Sequence, residues 1–330
     1  MEGITDESFR LALHKTYPEW DYYATDFLRC PSVGVYPDKK IRSHFGNTAI
    51  NSQEIKDKTI YQILTSPNAL TEITVKQILD HGFKWIDLNL GCPSKTVCKN
   101  QGGSSLLAQL DKLIEIIRLM RKIIPNRFTC KIRVGYQDDA NFLEILKIIE
   151  GEGVDALTIH ARTRTQMYKG TANWEYIQYA VDNCRLPIVA NGDVWTLEDI
   201  DNIYALTNCH SIMMARGAMK TPWLAKLYKQ GEEDSLVRRK HEIQKFFINF
   251  YEILSESSDD EYGKLKRLKS ISRYCFDPFI NQKIKTNCLR SKSIEEFIGH
   301  INEIELKPLS HSMAEQLKSL KLDPVHQRAY

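Results

Sequence analysis

No stretch of eighteen apolar residues occurs in the chain, so a transmembrane helix is not expected. The opening residues, Met1-Glu2-Gly3-Ile4-Thr5-Asp6, are acidic and lack the apolar core of a secretory signal, so a signal peptide is not expected either. The eight cysteines are scattered, with no CxxC pair and no Cys/His spacing suited to a metal. They read as free thiols of a reducing cytoplasm, and no metal is expected. No GxGxxG follows a strand-like run, which removes support for a dinucleotide held in the Rossmann manner. Internal repeats and low-complexity tracts are also missing.

What is present is an ordinary globular composition, 42% hydrophobic and 26% charged, over 330 residues. That length suits one large domain and a smaller one. The net charge is only +3, but it is unevenly spread. Between Gly263 and Arg290 stand Lys264, Lys266, Arg267, Lys269, Arg273, Lys283, Lys285 and Arg290 against Asp277 alone, a local charge of +7 beside a remainder of −4. A basic C-terminal segment next to a slightly acidic body points to an anionic macromolecule docking at one end, the alternative being a solvated helix face.

From residue 20 to 230, short β-rich runs alternate with helical patterns. The runs are Asp21–Thr25, Thr59–Leu64, Trp85–Leu90, Thr129–Val134, Ala156–His160, Pro187–Ala190 and Ser211–Met214. Leu110, Leu113, Ile114, Ile117, Met120 and Ile124 follow the spacing of a buried helix face, as do Phe142, Ile145, Leu146 and Ile149. Leu197, Ile200, Ile203 and Tyr204 form a shorter example. Repeated strand–helix units predict a parallel sheet with helices outside, either a (β/α)8 TIM barrel lacking one strand or a doubly wound open sheet. Polar residues just after strand C-termini favour the barrel, whose active sites lie there. Beyond about residue 232, Arg238–Leu254, Lys264–Phe276 and Ser293–Glu305 look helical. The expected division is a barrel over residues 1–231 and a small helical domain over 232–330.

Asn191-Gly192-Asp193 and Ala215-Arg216-Gly217-Ala218 follow the last two strand runs. Barrel loops at these places often bind phosphate through close-approaching backbone N–H groups, and Arg216 adds a two-pronged charge. A phosphate-bearing mononucleotide such as FMN fits this pair of loops. Other strand ends carry Gln62, Asn89, Lys131, Arg133 and His160. Lys131 and Arg133 share one strand face and need an anion inside a barrel; a reduced flavin is one, and a buried salt bridge to an acidic neighbour is the alternative. His160 could equally be a satisfied core histidine, and Gln62 a partner of loop backbone. Cys92, between Gly91 and Pro93 just after a strand, is a candidate nucleophile or acid. An ordinary thiol stays protonated near neutrality and can give its proton to a carbon centre. The Gly102-Gly103 pair nearby suggests a mobile loop.

Taken in order, Met1 to Asp6, Leu88-Asn89-Leu90-Gly91-Cys92-Pro93-Ser94-Lys95-Thr96-Val97, Lys131-Ile132-Arg133, Ile159-His160-Ala161-Arg162-Thr163, Ala190-Asn191-Gly192-Asp193 and Arg216-Gly217-Ala218 resemble the tRNA-dihydrouridine synthase family, its bacterial C-type branch most of all. The resemblance covers the barrel to about residue 225. It implies bound FMN touching Met1, Gln62, Lys131, His160, Asn191, Gly192, Asp193, Ala215 and Arg216, with NADPH as reductant. It implies hydride transfer to uracil C6 and protonation of C5 by Cys92. Asn89 would hold the uracil, Lys95 and Arg162 the nucleotide, and the basic helical domain with Lys264, Lys266 and Arg267 the tRNA body. By the same branch resemblance, position 16 of the D-loop is favoured over position 20, and a monomer suits a protein that must wrap a tRNA. The chain departs from the family in two ways. It begins at the methionine that normally follows a first strand and an Ala-Pro, so a misassigned start or a truncation is expected. It also has Asn89 where the C-type branch often has glutamine. Two other functions stay open: an FMN-barrel dehydrogenase of free pyrimidines, which would need no basic domain, and a colourless, non-catalytic tRNA-binding protein.

Overall fold

The computed structural model describes residues 3–257, 259–276 and 282–304. Its sheet is built from β1 (Tyr23–Ala24), β2 (Leu28–Arg29), β3 (Thr59–Leu64), β4 (Trp85–Leu90), β5 (Arg127–Arg133), β6 (Ala156–His160), β7 (Ile188–Asn191) and β8 (Ser211–Met213). Every pairing is parallel, and β1 and β2 both pair with β3. From β3 to β8 the order across the sheet follows the order in the chain. A doubly wound sheet reverses its order at a switch point; this one does not, so it winds as a TIM-type barrel. Among the described residues no pairing joins β8 to β1.

The run expected as a strand over Asp21–Thr25 pairs only at Tyr23–Ala24, and a second short pairing, Leu28–Arg29, follows beyond it. Between them Asp26 leaves the ladder, and its carboxylate accepts from the Gly3 amide at 2.6 Å and from the Thr5 hydroxyl.

Strand alternation sorts the core from the site. In β4, Ile86, Leu88 and Leu90 are fully buried in a core shared with the outer helices, while Asp87 and Asn89 face the other way. Cys130, Ile132, Leu157, Ile159, Ile188 and Ala190 repeat the pattern in β5 to β7. The helices Leu110–Ile123, Phe142–Gly151 and Leu197–Thr207 cover this apolar side, as their spacing predicts. The last is started by a capping box in which Thr196 and Asp199 satisfy each other's backbone donors.

A second core lies beside the barrel. Helices Leu236–Ser255, Glu261–Cys275, Gln282–Arg290 and Ile294–Asn302 bury Phe246, Phe247, Phe250, Leu268 and Phe297 together. The helix Glu7–Thr16, for which sequence patterning raised no expectation, joins them. Asp6 caps it by accepting from the Phe9 amide at 3.0 Å, and the Phe9 ring meets Phe246 and Phe250 edge-on at 6.1 and 6.5 Å. Burying one such phenyl ring stabilises the fold by about 1.5–3 kcal/mol, more than a ten-residue helix could supply by propensity. All eight cysteines are free, and no described helix is long and apolar enough to cross a membrane.

Candidate active site at the carboxyl ends of the strands

The inward residues of β3, β4 and β5 form a connected polar layer. The Gln62 amide donates to Asp87 Oδ2 at 2.8 Å, Thr129 Oγ1 donates to Asp87 Oδ1 at 2.7 Å, and Asn89 Nδ2 donates to Gln62 Oε1 at 2.7 Å. Burial raises the Asp87 carboxyl to about 6, against the pull of Thr129, Gln62 and Lys131. Sequence reasoning missed Asp87. The signal was there, because it stands two residues before Asn89 in an otherwise apolar run and therefore shares its face.

One layer further out stand the cations. Lys131 Nζ donates to Asn191 Oδ1 at 2.9 Å, reaching past β6 to β7, which only an inward side chain can do. The Asn191 amide is fixed in turn by donating to the Met213 carbonyl at 2.8 Å. Burial brings the Lys131 ammonium down to about 8, helped by Arg133 and opposed by Asp87. Arg133 is almost wholly buried and donates to the carbonyls of Gly91 (2.9 Å), Thr163 (3.0 Å) and Met167 (2.8 Å). His160 is held well below its ordinary range, first by burial and then by Arg133, Lys131, Arg162 and Arg216, so its imidazole is neutral.

The loop after β7 carries Gly192 and Asp193, both with left-handed backbone (φ 122° and 53°). A Cβ on Gly192 would lie 2.9 Å from the Ala172 methyl, so the position takes no side chain. Asp193 is buried and accepts from Arg162 at 3.1 and 2.5 Å, from the Ala172 amide at 2.8 Å and from Arg216 at 3.4 Å. Arg162 itself is 0% exposed and also donates to the carbonyls of Lys169 and Gly170. The structure thus gives Arg162 and the Asp193 carboxylate to each other and buries both. Arg216, after β8, lies over the rings of Tyr168 (5.1 Å) and Trp195 (4.9 Å), two residues that sequence patterning had not singled out. Its neighbour Gly217 packs so closely on the loop after β7 that a Cβ would stand 2.2 Å from the Val194 carbonyl. Ala215, between β8 and this contact, is exposed.

Lys131, Arg133, Arg162 and Arg216 are therefore gathered around a neutral histidine with two carboxylates, Asp87 and Asp193, acting on them. The indole N–H of Trp195, beneath Arg216, is buried with no hydrogen-bond partner among the described residues. Four cations in and around a buried layer that holds two carboxylates, and an unused buried donor, are costly unless an anionic acceptor completes them. A phosphate-bearing mononucleotide of the FMN kind meets both needs. Gln62, Lys131, His160, Asn191, Gly192 and Arg216, expected to hold it, are brought together; Met1 lies outside the described residues.

Cys92 sits half-buried on the loop after β4. Its backbone is pinned from three sides. Asn89 Oδ1 accepts from the amides of Gly91 and Cys92, both at 3.0 Å, and the Cys92 carbonyl accepts from Ser104 Oγ at 2.7 Å. Arg133 holds the Gly91 carbonyl. The Gly102-Gly103 pair, read as a mobile loop, lies at the entry to a short 3-10 turn. That turn, Gly103–Ala108, is buried and follows the short helix Lys95–Lys99, and its Ser104 supplies that pin. Asn89 is thereby a holder of the thiol's loop, whatever else it touches.

The remaining expected residues lie apart from this cluster. Lys95 is exposed at the start of its helix. Lys266 is exposed, Lys264 pairs with Glu261 at 3.1 Å, and Arg267 is half-buried. Arg267 pairs with Asp6 at 2.7 Å and donates to the carbonyls of Gly3 and Ile4, tying the helical region to the N-terminal segment.

A tRNA-dihydrouridine(16) synthase of Neisseria meningitidis serogroup A / serotype 4A is 36% identical to this chain over 204 residues, 60% of this chain and 61% of that protein. The match therefore spans less than two thirds of that relative's length. The protein of the same name from Shewanella oneidensis is 33% identical over 70% of this chain and 74% of its own, and that from Haemophilus influenzae is 29% identical over 83% and 88%. Residues 1–297 match the dihydrouridine synthase (Dus) family, and the chain belongs to that family.

Proposed function

We propose that this protein reduces a specific uridine of tRNA to 5,6-dihydrouridine, using bound FMN and NADPH as reductant. The observation that carries the reading is a half-buried thiol on a pinned loop beside a cluster of four cations, Arg133 and Arg162 buried and Lys131 and Arg216 half-buried. FMN, when bound, supplies hydride to uracil C6. The chain's own residues do the rest. Gln62, Lys131, His160, Asn191 and the Gly192-Asp193 and Ala215-Arg216 loops hold the cofactor, with Arg216 on its phosphate. Asn89 orients the uracil and the Cys92 loop together. Cys92 gives its thiol proton to C5 from the opposite face, so hydride and proton together saturate the ring and the thiolate takes a proton back from water.

The division of labour proposed is a barrel over residues 1–231 and a tRNA-holding helical domain over 232–330. Lys95 and Lys266, both exposed, would face tRNA phosphates with Lys264 beside them, while Arg267 ties the helical region to the N-terminal segment and Arg162 shapes the site through Asp193. Position 16 is the proposed target, in keeping with the names of the relatives. The test is direct: the FMN-loaded protein with NADPH is given tRNA lacking the modification, and dihydrouridine is quantified position by position. Product at position 16 supports the reading, and no product at any uridine rejects it.

The lowered ammonium of Lys131 makes a second expectation. An anion beside it favours the charged form, so binding takes up a proton once the free protein has lost it. FMN affinity should be highest below pH 8 and fall as pH rises through about 8, by up to tenfold per unit. Fluorescence titrations from pH 7 to 9.5 should show that fall, and Lys131→Gln should flatten it. A fall of equal steepness in the variant would place the titrating group elsewhere.

A further inference from the structure

A polar cavity of about 390 Å³ lies beside the Cys92 loop, between the loops that follow β2 and β3 and the Lys95–Lys99 helix. That volume is in the range of sites for small organic ligands, roughly 300–1,000 Å³. All three walls come from the carboxyl ends of strands, the side of the barrel on which the candidate active site opens. Arg29, at the end of β2, and Lys99, on the Lys95–Lys99 helix, both line it, and none of the described residues that line it is a carboxylate. Asn68, Ser66 and Gln101 add uncharged donors and acceptors. Gln101 has left-handed backbone, φ 56°, which a residue with a side chain adopts at a cost and which recurs where ligands are gripped. Its segment is held there by bonds from the Gln101 amide to the Cys98 carbonyl (3.0 Å) and from the Gly102 amide to the Val97 carbonyl (3.1 Å). The same segment runs directly into Ser104, which pins the Cys92 carbonyl. A ligand in the cavity would therefore be a neighbour of whatever reacts at Cys92.

Resting on the function proposed above, we propose that this cavity is a second nucleotide subsite. It takes the nucleotide adjoining the reacting uridine in the RNA chain, its phosphate between Arg29 and Lys99 and its base against the side-chain amides. Two cations without a local carboxylate suit a phosphodiester, and mixed amide and hydroxyl groups suit base edges. Turning one uridine out of a folded tRNA strains the backbone on each side of it, and a grip on the adjacent nucleotide stabilises the turned-out state.

Two variants test it by different means: Arg29→Gln with Lys99→Gln, which removes charge, and Ser66→Trp, which fills the cavity and leaves charge unchanged. Each is prepared as FMN-loaded protein, and retained flavin absorbance establishes that the barrel is intact. The readouts are the dissociation constant for unmodified tRNA at several salt concentrations and the KM and kcat of dihydrouridine formation. Both variants should weaken tRNA binding about tenfold or more, the scale of one lost charge-assisted hydrogen bond, and raise KM while kcat at saturating tRNA is kept. The charge variant should also make log Kd less steep in log salt, by about 0.7 for each lost phosphate contact to single-stranded RNA. Unchanged binding in both variants overturns the subsite, as does a fall in kcat with binding intact, which would mean a displaced Cys92 loop. A wild-type protein that binds tRNA and forms no dihydrouridine rejects the proposed reduction, while the comparison of binding constants still decides the subsite.

Discussion

Cys92→Ala should leave FMN bound and lower dihydrouridine formation by about a hundredfold to ten-thousandfold, the range contributed by a positioned proton donor. The loop that carries the thiol is held through its backbone, by Asn89 Oδ1 on the Gly91 and Cys92 amides, by Ser104 on the Cys92 carbonyl and by Arg133 on the Gly91 carbonyl. None of these bonds uses the sulfur, so truncation at Cβ removes the acid without removing its support. The bonds of Lys131 to Asn191 and of Arg162 and Arg216 to Asp193, in the cluster expected to hold FMN, likewise do not involve Cys92 Sγ. Cys92→Ser should restore little, because a hydroxyl is a far weaker acid than a thiol. The measurement is single-turnover dihydrouridine formation by FMN-loaded, pre-reduced protein, with flavin content read from its absorbance. A rate near wild type in Cys92→Ala would take the thiol out of the chemistry.

Arg162→Ala should lower the unfolding free energy by about 3–5 kcal/mol, because it strands a buried carboxylate. Asp193 is 6% exposed, and Arg162 is the partner that meets both of its oxygens. Arg216 reaches only one of them, at 3.4 Å, which places the expected loss toward the lower end of that range. Arg162→Lys should not rescue, since an ammonium cannot meet both oxygens and the Lys169 and Gly170 carbonyls at once. Asp193→Ala should cost a similar amount, and the double variant less than the sum of the two. Urea unfolding of the flavin-free protein gives the four values; additive losses would show that the pair does not act as a unit.

Much of the barrel was readable along the chain. Ile86, Leu88 and Leu90 alternate with Asp87 and Asn89, and the same period in β5 put Lys131 and Arg133 on one face, as observed. Three of the outer helices, Leu110–Ile123, Phe142–Gly151 and Leu197–Thr207, showed their buried faces through three-and-four spacing. These are local properties, set by backbone geometry within ten or fifteen residues, and a sequence displays them directly. The polar residues at strand ends were visible for the same reason, and so was the thiol after β4.

What each polar residue does there could not be read in that way. Arg162 and Asp193 stand 31 residues apart, and only the parallel pairing of β6 with β7, His160 opposite Asn191, sets their two loops side by side. Arg267 lies in the basic segment that suggested an RNA surface, yet its guanidinium holds Gly3, Ile4 and Asp6. Phe9 finds Phe246 and Phe250 across more than two hundred residues. Local periodicity determined that this chain winds parallel strands and helices and which faces of them are polar. Which cation is consumed by a carboxylate, and which is left for a ligand, was decided by distances of a few ångströms between segments remote in sequence, where charge and burial act through space and leave no period behind.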